Sequence, residues 1–555
     1  MAGSERTGEA VVGVWDGHGA SVAVVADGEL VFALAEERVN RRKRFSGFPK
    51  LALERALDWL DAHDLWAGAV AMAGWRGRSP VRFAERWYRD SSPHREPLGF
   101  ASRLVMDWEN QVAGSSYGRL EAHLSRTVVR RRLARTGLRA PVISVDHHDA
   151  HAWAAALCEG ELVLTADAYG EGRSATLRHV SDMDEVLHAH GPDFGLALLY
   201  GAVTVALGYR EGDEGKVMGL AALGDPEPAR SRFAALFEEG PLPRLRAPLR
   251  SADLDRALEG LSRDDAAAGL QAFVAEKAVA WVRHLLRRRG PARLVLAGGL
   301  FANVRLNQEL LALPEIFDLR VFPAMGDEGL SAGAAHLVWS EGRRRRGQPR
   351  DRARMHTPRL GMDFGEPARV LGRHVGAEQV TPEVVADALA AGKVVCRYAG
   401  REAFGPRALG GRSVLFRPDP QIADRVNADL RRDPIMAFAP AMTAEAAEQM
   451  LGITAELPHM TITAPANDAL RAACPAAVHV DGTVRPQVVR DEHDPDFHAL
   501  LAAAHARGVP ALINTSFNLH GEPIVHTPDQ ALETFRVSGL DLLLLEDRLL
   551  RSPAQ

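Results

Sequence analysis

The sequence predicts an α/β protein whose N-terminal domain is internally duplicated and is followed by a second α/β domain. A strand–turn–strand pattern occupies residues 10–35 and recurs in residues 161–179, after a helical stretch. Buried strands that run into glycine-rich loops and helices follow at residues 294–304 and 322–329. Strand and helix patterns restart after residue 358. A chain of 555 residues is too long for one hydrophobic core, so at least two domains are expected.

The strands of the duplicated domain are apolar runs that end at turn residues. We expect the strands of the first pattern at residues 10–14, 21–25 and 30–35. Asp27-Gly28 joins the second and third of them, and this dipeptide is a preferred sequence of tight hairpin turns. In the second pattern we expect strands at residues 161–167 and 174–179, joined by a turn at 168–172. The duplication also predicts a nucleotide between the two halves of the domain.

A linker is expected between the two domains. Residues 340–358 lack apolar periodicity and contain four consecutive arginines at 343–346, a composition typical of a solvated segment. The predicted divisions are a domain at 1–345, a linker at 346–358 and a domain at 359–555. In the second domain we expect strands at 394–398, 477–480, 511–514 and 540–545, and helices at 500–506 and 529–535.

Composition and charge exclude several classes of function. Apolar residues make up 46% and charged residues 25% of the chain, as in ordinary globular proteins. The formal net charge of -5 offers no basic surface for nucleic acid. The three cysteines are scattered without a CxxC pair, so neither a disulfide framework nor a thiolate zinc site is expected. The first ten residues are polar and no apolar run reaches the length of a membrane span, so we expect a cytoplasmic protein.

Two histidines mark the most informative segment. An apolar run at residues 141–145 predicts a buried strand, and a helix is expected to follow it. His147 and His151 then lie at positions i and i+4 of one helical face, where two neutral imidazoles can ligate one metal ion. Asp327, in a glycine-flanked turn ahead of another helix, is the best candidate for an anionic third ligand. Such a set suits Fe(II), Mn(II) or Zn(II), although histidines at a helix start can also simply face solvent.

Nine motifs, in this order, resemble one enzyme family. They lie at residues 35–43, 147–152, 214–221, 298–303, 326–329, 404–413, 436–440, 479–487 and 514–518. Together they make the chain similar, over nearly its whole length, to the O-carbamoyltransferases of antibiotic and nodulation-factor biosynthesis. The resemblance implies that the N-terminal domain is a TsaD-like member of the actin-like ATPase superfamily and that the C-terminal domain is YrdC-like.

The resemblance also implies a reaction. In that family carbamoyl phosphate loses phosphate in the second domain, and the carbamate reacts with ATP to give carbamoyl-adenylate and pyrophosphate. A substrate hydroxyl then takes the carbamoyl group in the first domain, which is implied to bind ATP and Fe(II) or another divalent transition metal. The expected acceptor is a small molecule, a secondary metabolite, that no motif in the sequence identifies.

Five residues of the second domain are expected to bind carbamoyl phosphate. The guanidinium groups of Arg412, Arg432 and Arg485 can hold a phosphate group through paired N–H donors. The amide of Asn514 and the hydroxyl of Ser516 can contact the carbamoyl end. An arginine can also serve in a surface ion pair, and the sequence leaves open whether Arg432 or the arginine before it contacts phosphate.

Further site residues are expected in the first domain. Nucleotide contacts are predicted for Lys216, Gly298, Gly299 and Asn303, and catalytic roles for His18, Lys43 and Asp167. His18 is a candidate base for the acceptor hydroxyl, because an imidazole titrates near neutral pH, or it is a turn histidine bonded to the backbone. Lysine is rare in this arginine-rich chain, so Lys43 and Lys216 indicate point charges near phosphate, unless they occur by chance. Asp167 could orient water, metal or phosphate, or cap a turn.

Two other functions share parts of this pattern. A tRNA threonylcarbamoyladenosine-type synthase combines related folds, but the lack of a basic surface opposes it. A non-catalytic, ATP-switched binding protein on an actin-like core would not need the histidine pair with Asp327, nor an arginine-rich second domain. We therefore expect an ATP-dependent O-carbamoyltransferase with no nucleic-acid or membrane partner.

Overall fold

The computed structural model describes residues 8–74, 127, 130–191, 193–287, 289–349, 352–365 and 377–552. The chain divides into two compact units, called here the first and the second unit. The first unit comprises Met1–Glu36 and Arg44–Met355, and the second comprises Glu37–Lys43 and His356–Gln555. Within the described ranges, no helix is both long enough and apolar enough to cross a lipid bilayer.

The first unit contains two five-stranded sheets. The strands of the first sheet are β1 (Gly8–Trp15), β2 (Ser21–Ala26), β3 (Glu29–Ala35), β4 (Leu65–Ala73) and β5 (Val142–Val145). Their order is β3-β2-β1-β4-β5. β2 is antiparallel to both β1 and β3, whereas β4 pairs in parallel with β1 and β5 in parallel with β4. The strands of the second sheet are β6 (Leu162–Gly170), β7 (Arg173–His179), β8 (Val186–His190), β9 (Ala292–Ala297) and β10 (Ile316–Val321).

The second sheet repeats the topology of the first. Its order is β10-β9-β6-β7-β8, so an antiparallel meander of three strands is again followed by two parallel strands on the side of its first member. Two sheets with this shared order form a duplicated α/β unit. The predicted fold class and its internal duplication are therefore confirmed.

Turn geometry explains where the predicted strands end. Asp27 and Gly28 both have positive φ angles, 48° and 83°, as the predicted tight hairpin requires. The predicted turn at residues 168–172 is wrong, because β6 continues to Gly170 through a register shift. Only Glu171 and Gly172 turn, with φ angles of 52° and 94°. A strand end that carries a bulge has no clean alternation, so its sequence resembles a loop.

Helices cover the sheets of the first unit. They are α2 (Lys50–Ala62), α3 (His147–Ala155), α4 (Leu196–Ala206), α5 (Glu214–Leu220), α6 (Glu227–Ala234), α7 (Ser251–Leu258), α8 (Arg263–Leu286), α9 (Val304–Leu311) and α10 (Leu330–Arg345). A short helix, α1 (Glu36–Asn40), comes before α2 in the chain and is not one of them. A Cβ atom added at Gly333 in α10 would lie 1.8 Å from the carbonyl oxygen of Ala150 in α3. Glycine therefore allows the backbones of these two helices to approach closely.

Most of the arginine run lies in a helix. α10 extends to Arg345, so three of the four arginines belong to this helix, and the predicted linker begins at the residue after it, Arg346. Basic side chains in the last turn of a helix interact favourably with its dipole, which makes the run compatible with a helix end. The chain then returns to the first unit, where the N–H of Arg354 donates to the carbonyl of Gly28 and the N–H of Leu30 donates to the carbonyl of Arg354.

The second unit contains an eight-stranded mixed sheet and a separate two-stranded sheet. The strands are β11 (Glu378–Gln379), β12 (Val395–Tyr398), β13 (Arg412–Phe416), β14 (Pro440–Thr443), β15 (Ala464–Pro465), β16 (Thr483–Val484), β17 (Gln487–Val489), β18 (Leu512–Ser516), β19 (Leu542–Leu545) and β20 (Arg548–Arg551). The large sheet has the order β11-β20-β19-β12-β13-β18-β14-β17, and β15 pairs with β16. The helices are α11 (Pro382–Ala390), α12 (Pro420–Asp429), α13 (Ala444–Leu451), α14 (Asp468–Ala473), α15 (Pro495–His505) and α16 (Pro528–Ser538).

Most of the elements predicted for this unit are present, with one exception. The predicted strand at 477–480 is wrong, because Pro475–Ala477 form a 3-10 turn and Val480 lies at a turn, 67% exposed. The segment Glu37–Lys43 also belongs to this unit, although the sequence assigned it to the first domain. The side chain of Arg38 donates to the carbonyl of Gly405, and Arg41 donates to two carbonyls at residues 523 and 524.

Replacing Gly333 by alanine is expected to lower the free energy of unfolding, although alanine usually stabilises a helix interior by about 1 kcal/mol over glycine. The added methyl group would overlap the backbone of α3, and overpacking costs about 1–3 kcal/mol. Gly342→Ala in the same helix is the matched control, because its Cβ would lie 3.7 Å from the nearest atom, Arg346 Nη1. It should be neutral or stabilising in chemical denaturation. Equal effects of the two substitutions would contradict the close-packing argument.

Candidate active site

Helix α3 presents the two histidines that the sequence singles out. Asp146 caps the helix, because its carboxylate accepts hydrogen bonds from the backbone N–H groups of His148 and Asp149. His147 and His151 follow one turn apart and are 6% and 1% exposed. Their rings lie edge to face with centroids 4.8 Å apart. Both imidazoles are thus buried on one face of the helix.

Two carboxylates complete a cluster of four donor atoms. Asp327 Oδ1 lies 3.6 Å from His147 Nε2 and 3.5 Å from His151 Nε2. Asp167 Oδ2 lies 3.1 Å from His151 Nε2. All four ligand atoms lie within 4.8 Å of one another. The structure therefore brings the three predicted metal ligands together and adds Asp167, which is predicted from the sequence to be catalytic.

The geometry of this four-donor cluster fits a divalent transition metal. Imidazole and carboxylate ligands bind such ions at about 2.0–2.2 Å, which puts neighbouring donor atoms about 3.0–3.6 Å apart. The three measured separations run from 3.1 to 3.6 Å. Nε2 of His147 is also buried without a hydrogen-bond partner among the described residues. Buried polar atoms are normally satisfied, so this nitrogen indicates a missing partner such as a cation.

The charges of the cluster also favour a cation. Burial lowers the pKa of His147. Burial also opposes the charge on His151, but hydrogen bonds to Asp167 and Asp327 outweigh it and raise the pKa of His151 to about 9. Burial disfavours the ionised form of Asp167, yet its hydrogen bond with His151 holds the pKa of this carboxyl well below its usual value. The carboxylates thus stabilise positive charge at this point, here a proton on His151, beside a neutral His147 imidazole.

Neighbouring residues fix the orientation of the ligands. The backbone N–H of His147 donates to Glu171 Oε2, and the edge of the Trp15 ring contacts the imidazole. A Cβ at Gly170 would lie 2.3 Å from His147 Cδ2, so the strand can pass the imidazole only without a side chain there. The third histidine of the segment, His148, has its ring nitrogens at hydrogen-bond distance from Thr165 Oγ1 and the Arg173 carbonyl, so it is not oriented as a ligand.

The predicted nucleotide loop lies directly beside this cluster. The N–H of Gly299 donates to Asp167 Oδ2 at 3.0 Å, which links the loop after β9 to the metal ligands. Gly298 has a φ of 107°, and a Cβ there would lie 2.1 Å from the carbonyl oxygen of Ala166. Glycine is therefore required at this position. The loop runs into a short 3-10 turn ahead of α9, and its backbone donors are of the kind that bind phosphate.

Asn303 has a structural role beside this loop. Its Oδ1 accepts from the N–H of Leu306 and so caps α9. Its amide also exchanges hydrogen bonds with Gln271, whose Oε1 accepts from the hydroxyl of Tyr200. The side chain predicted to contact nucleotide is thus held inside a network. Gln271 and Tyr200 lie on two different helices far from the motif, so no local pattern in the sequence marks them.

The remaining predicted residues of the first domain are His18, Lys216 and Lys43. His18 lies in a turn whose next residue, Gly19, is packed against Glu328, the neighbour of Asp327. Its Nδ1 is buried without a partner among the described residues. Lys216 instead lies on α5, with its ammonium 3.7 Å from Asp213 Oδ1. Lys43 is in the segment that belongs to the second unit. Among these three residues, His18 is the one for which a contact of its own turn with the turn of Asp327 is seen.

Arg407, Arg432 and Arg485 form an arginine cluster in the second unit, in which their charges interact. Burial, together with the like charges of Arg407 and Arg432, lowers the pKa of Arg485 well below its usual value. Burial lowers the pKa of Arg432 to about 10. In the part of the chain that the structure describes, neither Arg432 nor Arg485 lies within ion-pair distance of a carboxylate. Burying like charges together is costly without a counter-charge, so this arginine cluster fits an anionic ligand.

Arg412, predicted to bind phosphate, has its Nη atoms occupied by backbone carbonyls instead of pointing into this arginine cluster. Its Nη atoms donate to the carbonyls of Ala399, Gly400 and Gly411, and its guanidinium lies 3.5 Å from the centroid of the Tyr398 ring. It therefore stabilises a loop by binding backbone. Arg407, in the same glycine-rich motif, interacts electrostatically with Arg485, and the sequence did not single it out. Both arginines share one motif, and the sequence does not show which of them backbone carbonyls occupy.

Asn514 and Ser516 lie on β18, as expected for neighbouring contacts of one ligand. Side chains two residues apart on a strand share a face. Asn514 is buried, with 3% exposure, whereas Ser516 is half-buried. The amide of Asn514 donates from Nδ2 to Gln487 Oε1 at 2.7 Å. Gln487 is a further residue that the sequence analysis missed, since the contact joins strands far apart in the chain.

Comparison with known proteins decides the family. The family model for the carbamoyltransferase N-terminus matches residues 10–336, and the model for the carbamoyltransferase C-terminus matches residues 386–552. The chain belongs to the carbamoyltransferase family. It is accordingly an enzyme, and the resemblance identified from its motifs is confirmed.

Named relatives cover nearly the whole carbamoyltransferase. It is 32% identical to nodulation protein NolNO of Sinorhizobium fredii over 96% of this chain and 79% of that protein. It is 27% identical to the 3'-hydroxymethylcephem-O-carbamoyltransferase of Amycolatopsis lactamdurans over 93% of this chain and 94% of that enzyme. Among solved structures, HypF of T. kodakarensis matches 61% of this chain and 48% of its own, at 13% identity and a TM-score of 0.34.

We expect the purified carbamoyltransferase to bind about one divalent transition-metal ion per chain, the capacity of one such cluster. The His147→Ala, His151→Ala double variant should lose the ion, because the two imidazoles are replaced. His148→Gln is the matched control and should retain the ion, since His148 bonds to protein groups instead. Elemental analysis after gel filtration measures the metal content of the double variant and of the control. Full retention by the double variant would contradict the assigned ligands.

Proposed function

We propose that this carbamoyltransferase takes its carbamoyl group from carbamoyl phosphate, activates it with ATP and transfers it to a hydroxyl group of a small molecule. The observation that carries the proposal is the arginine cluster of Arg407, Arg432 and Arg485. It lies within the region that matches the carbamoyltransferase C-terminus. Carbamoyl phosphate carries about two negative charges near neutral pH, by analogy with other phosphate monoesters, and would balance these cations.

The arginine cluster has the chemistry of a phosphate site. Arg432 is steadied by donating to Asn427 Oδ1 and the Met436 carbonyl, and it lies 4.1 Å from the centroid of Phe438. A guanidinium held this way loses little further freedom when it binds phosphate. Asn514 and Ser516, on one face of β18, would then contact the carbamoyl end. This arrangement supports release of phosphate from carbamoyl phosphate at the second unit.

The first unit supports the ATP-dependent part of the reaction. The glycine loop at Gly298 and Gly299 would bind phosphate oxygens through backbone N–H groups. His147, His151 and Asp327, with Asp167 beside them, would hold a divalent transition metal, proposed to be Fe(II). Such a metal, when bound, neutralises charge on phosphate oxygens. Because Gly299 donates to Asp167, a nucleotide on the loop would lie next to the metal ligands.

The transfer step forms a bond between the acceptor oxygen and the carbamoyl carbon. The bond from that carbon to the activating phosphate breaks, AMP leaves, and the hydroxyl proton passes to a base. His18 is proposed as this base, because its buried Nδ1 has no partner among the described residues and its turn adjoins that of Asp327. The named relatives include a cephem O-carbamoyltransferase and a nodulation protein. We therefore propose a hydroxylated secondary metabolite as the acceptor.

Replacing Arg485 by alanine should raise the KM for carbamoyl phosphate by about 10-fold to 100-fold, because one charge-assisted contact contributes about 1.5–3 kcal/mol. The KM for ATP should stay unchanged. Arg490→Ala is the matched control, since this arginine lies near Glu456 and is 37% exposed. Phosphate release from carbamoyl phosphate, assayed without RNA, measures both variants. An unchanged dependence on carbamoyl phosphate in Arg485→Ala would reject the site.

A further inference from the structure

An unpartnered amide oxygen lies in the middle of the large sheet of the second unit. Oδ1 of Asn514 is buried and has no hydrogen-bond partner among the described residues. The other end of the same amide is fixed, because Nδ2 donates to Gln487 Oε1 at 2.7 Å. Both residues are nearly inaccessible, with 3% and 4% exposure. The amide thus presents a fixed acceptor that lacks a donor.

The strand register explains how these two amides meet. Gln487 on β17 lies opposite Ala441 on β14, and Ala441 lies opposite Leu512 on β18. Asn514 follows Leu512 by two residues and so shares its face. Strands two positions apart are about 10 Å from each other. The side chains of Ala441 on the intervening strand and of Ala439 just before it are small, which leaves room for the amides to bridge that strand.

The surroundings of the acceptor indicate what its donor is. Arg485 of the arginine cluster precedes Gln487 by two residues, and Ser516 follows Asn514 on the same face of β18. A ligand whose phosphate binds the arginine cluster would therefore extend its other end towards this part of the sheet. Carbamoyl phosphate ends in an NH2 group with two donors, whereas acetyl phosphate has a methyl group in that place. An NH2 group would satisfy Oδ1, and a methyl group would leave it unpaired.

We propose that Asn514 Oδ1 accepts a hydrogen bond from the NH2 group of carbamoyl phosphate and that Gln487 is the positioning residue that selects this orientation of the amide. The inference rests on the proposed function of the arginine cluster. The two ends of an amide have nearly the same shape, so an asparagine without a fixed partner can turn its NH2 group towards the ligand. Gln487 prevents this by accepting from Nδ2. Selectivity for carbamoyl over acetyl phosphate then depends on a residue that does not touch the ligand.

Gln487→Leu and Gln487→Glu separate this role from simple packing. Leucine has a similar volume and no acceptor, so the KM for carbamoyl phosphate should rise by about 10-fold to 100-fold, the effect of one unpaired buried acceptor. Phosphate release from acetyl phosphate should change little, so the discrimination between the two substrates should fall by the same factor. Glutamate still accepts from Nδ2 and should keep most of the discrimination. Steady-state phosphate release from each substrate, at matched protein concentration, measures both variants.

Further variants test whether the loss of discrimination is specific to the Gln487–Asn514 pair. Gln530→Leu removes another amide of this unit, which caps α16, and should leave the discrimination unchanged. If Gln487→Leu does not fold, Asn514→Ala replaces it, because loss of the acceptor itself should lower discrimination equally. In the Gln487→Leu, Asn514→Ala double variant the two losses should not add, since both remove one interaction. Additive losses would overturn the proposal.

The outcomes distinguish this inference from the proposed function. If wild-type protein releases no phosphate from carbamoyl phosphate, the proposed function itself is wrong. If wild-type protein does release phosphate, two results together support the role of Gln487. Inorganic phosphate inhibits wild type and Gln487→Leu equally, and only the variant loses discrimination between carbamoyl and acetyl phosphate. Equal losses towards carbamoyl and acetyl phosphate in Gln487→Leu, or a larger loss in Gln487→Glu than in Gln487→Leu, would overturn it.

Discussion

The first unit depends on one constraint: side chains from three distant segments must bring their nitrogen and oxygen atoms together in the four-donor cluster. The histidines come from the start of α3, Asp167 from the end of β6 and Asp327 from the turn before α10. The helices α3 and α10 are held together at Gly333, and β6 passes His147 at Gly170. A side chain at either glycine would push a ligand away from the others. The duplicated fold therefore brings four donor side chains from distant segments to one point.

In the second unit, arginines that bind backbone carbonyls differ from the arginines of the cluster. Arg412 binds backbone carbonyls, and Arg38 and Arg41 bind the carbonyls of loops in the same unit. These arginines use their N–H donors to hold loops, so they have few left for a ligand. In the arginine cluster, by contrast, neither Arg432 nor Arg485 lies within ion-pair distance of a carboxylate of the described residues. The missing counter-charge beside these two residues, and not the arginine content, is what makes the cluster fit an anionic ligand.

Features encoded locally could be predicted from the sequence. The strands of the duplicated pattern follow from apolar runs between turns, and the histidine pair follows from helical spacing, because both depend on neighbours in the chain. The predicted turn at 168–172 and the predicted strand at 477–480 are wrong. A bulge in β6 and a 3-10 turn at Pro475–Ala477 interrupt the regular alternation of apolar and polar residues from which strands are predicted. Gln271, Gln487 and the segment Glu37–Lys43 could not be predicted, because long-range packing alone gives them their partners.

Anomalous diffraction from crystals grown anaerobically with Fe(II), recorded at the iron absorption edge, tests the central claim most directly. The account predicts one strong peak within bonding distance of His147 Nε2, His151 Nε2 and an oxygen of Asp327, and none at His148. No peak at the four-donor cluster under iron saturation, or a peak only at another position, would contradict it.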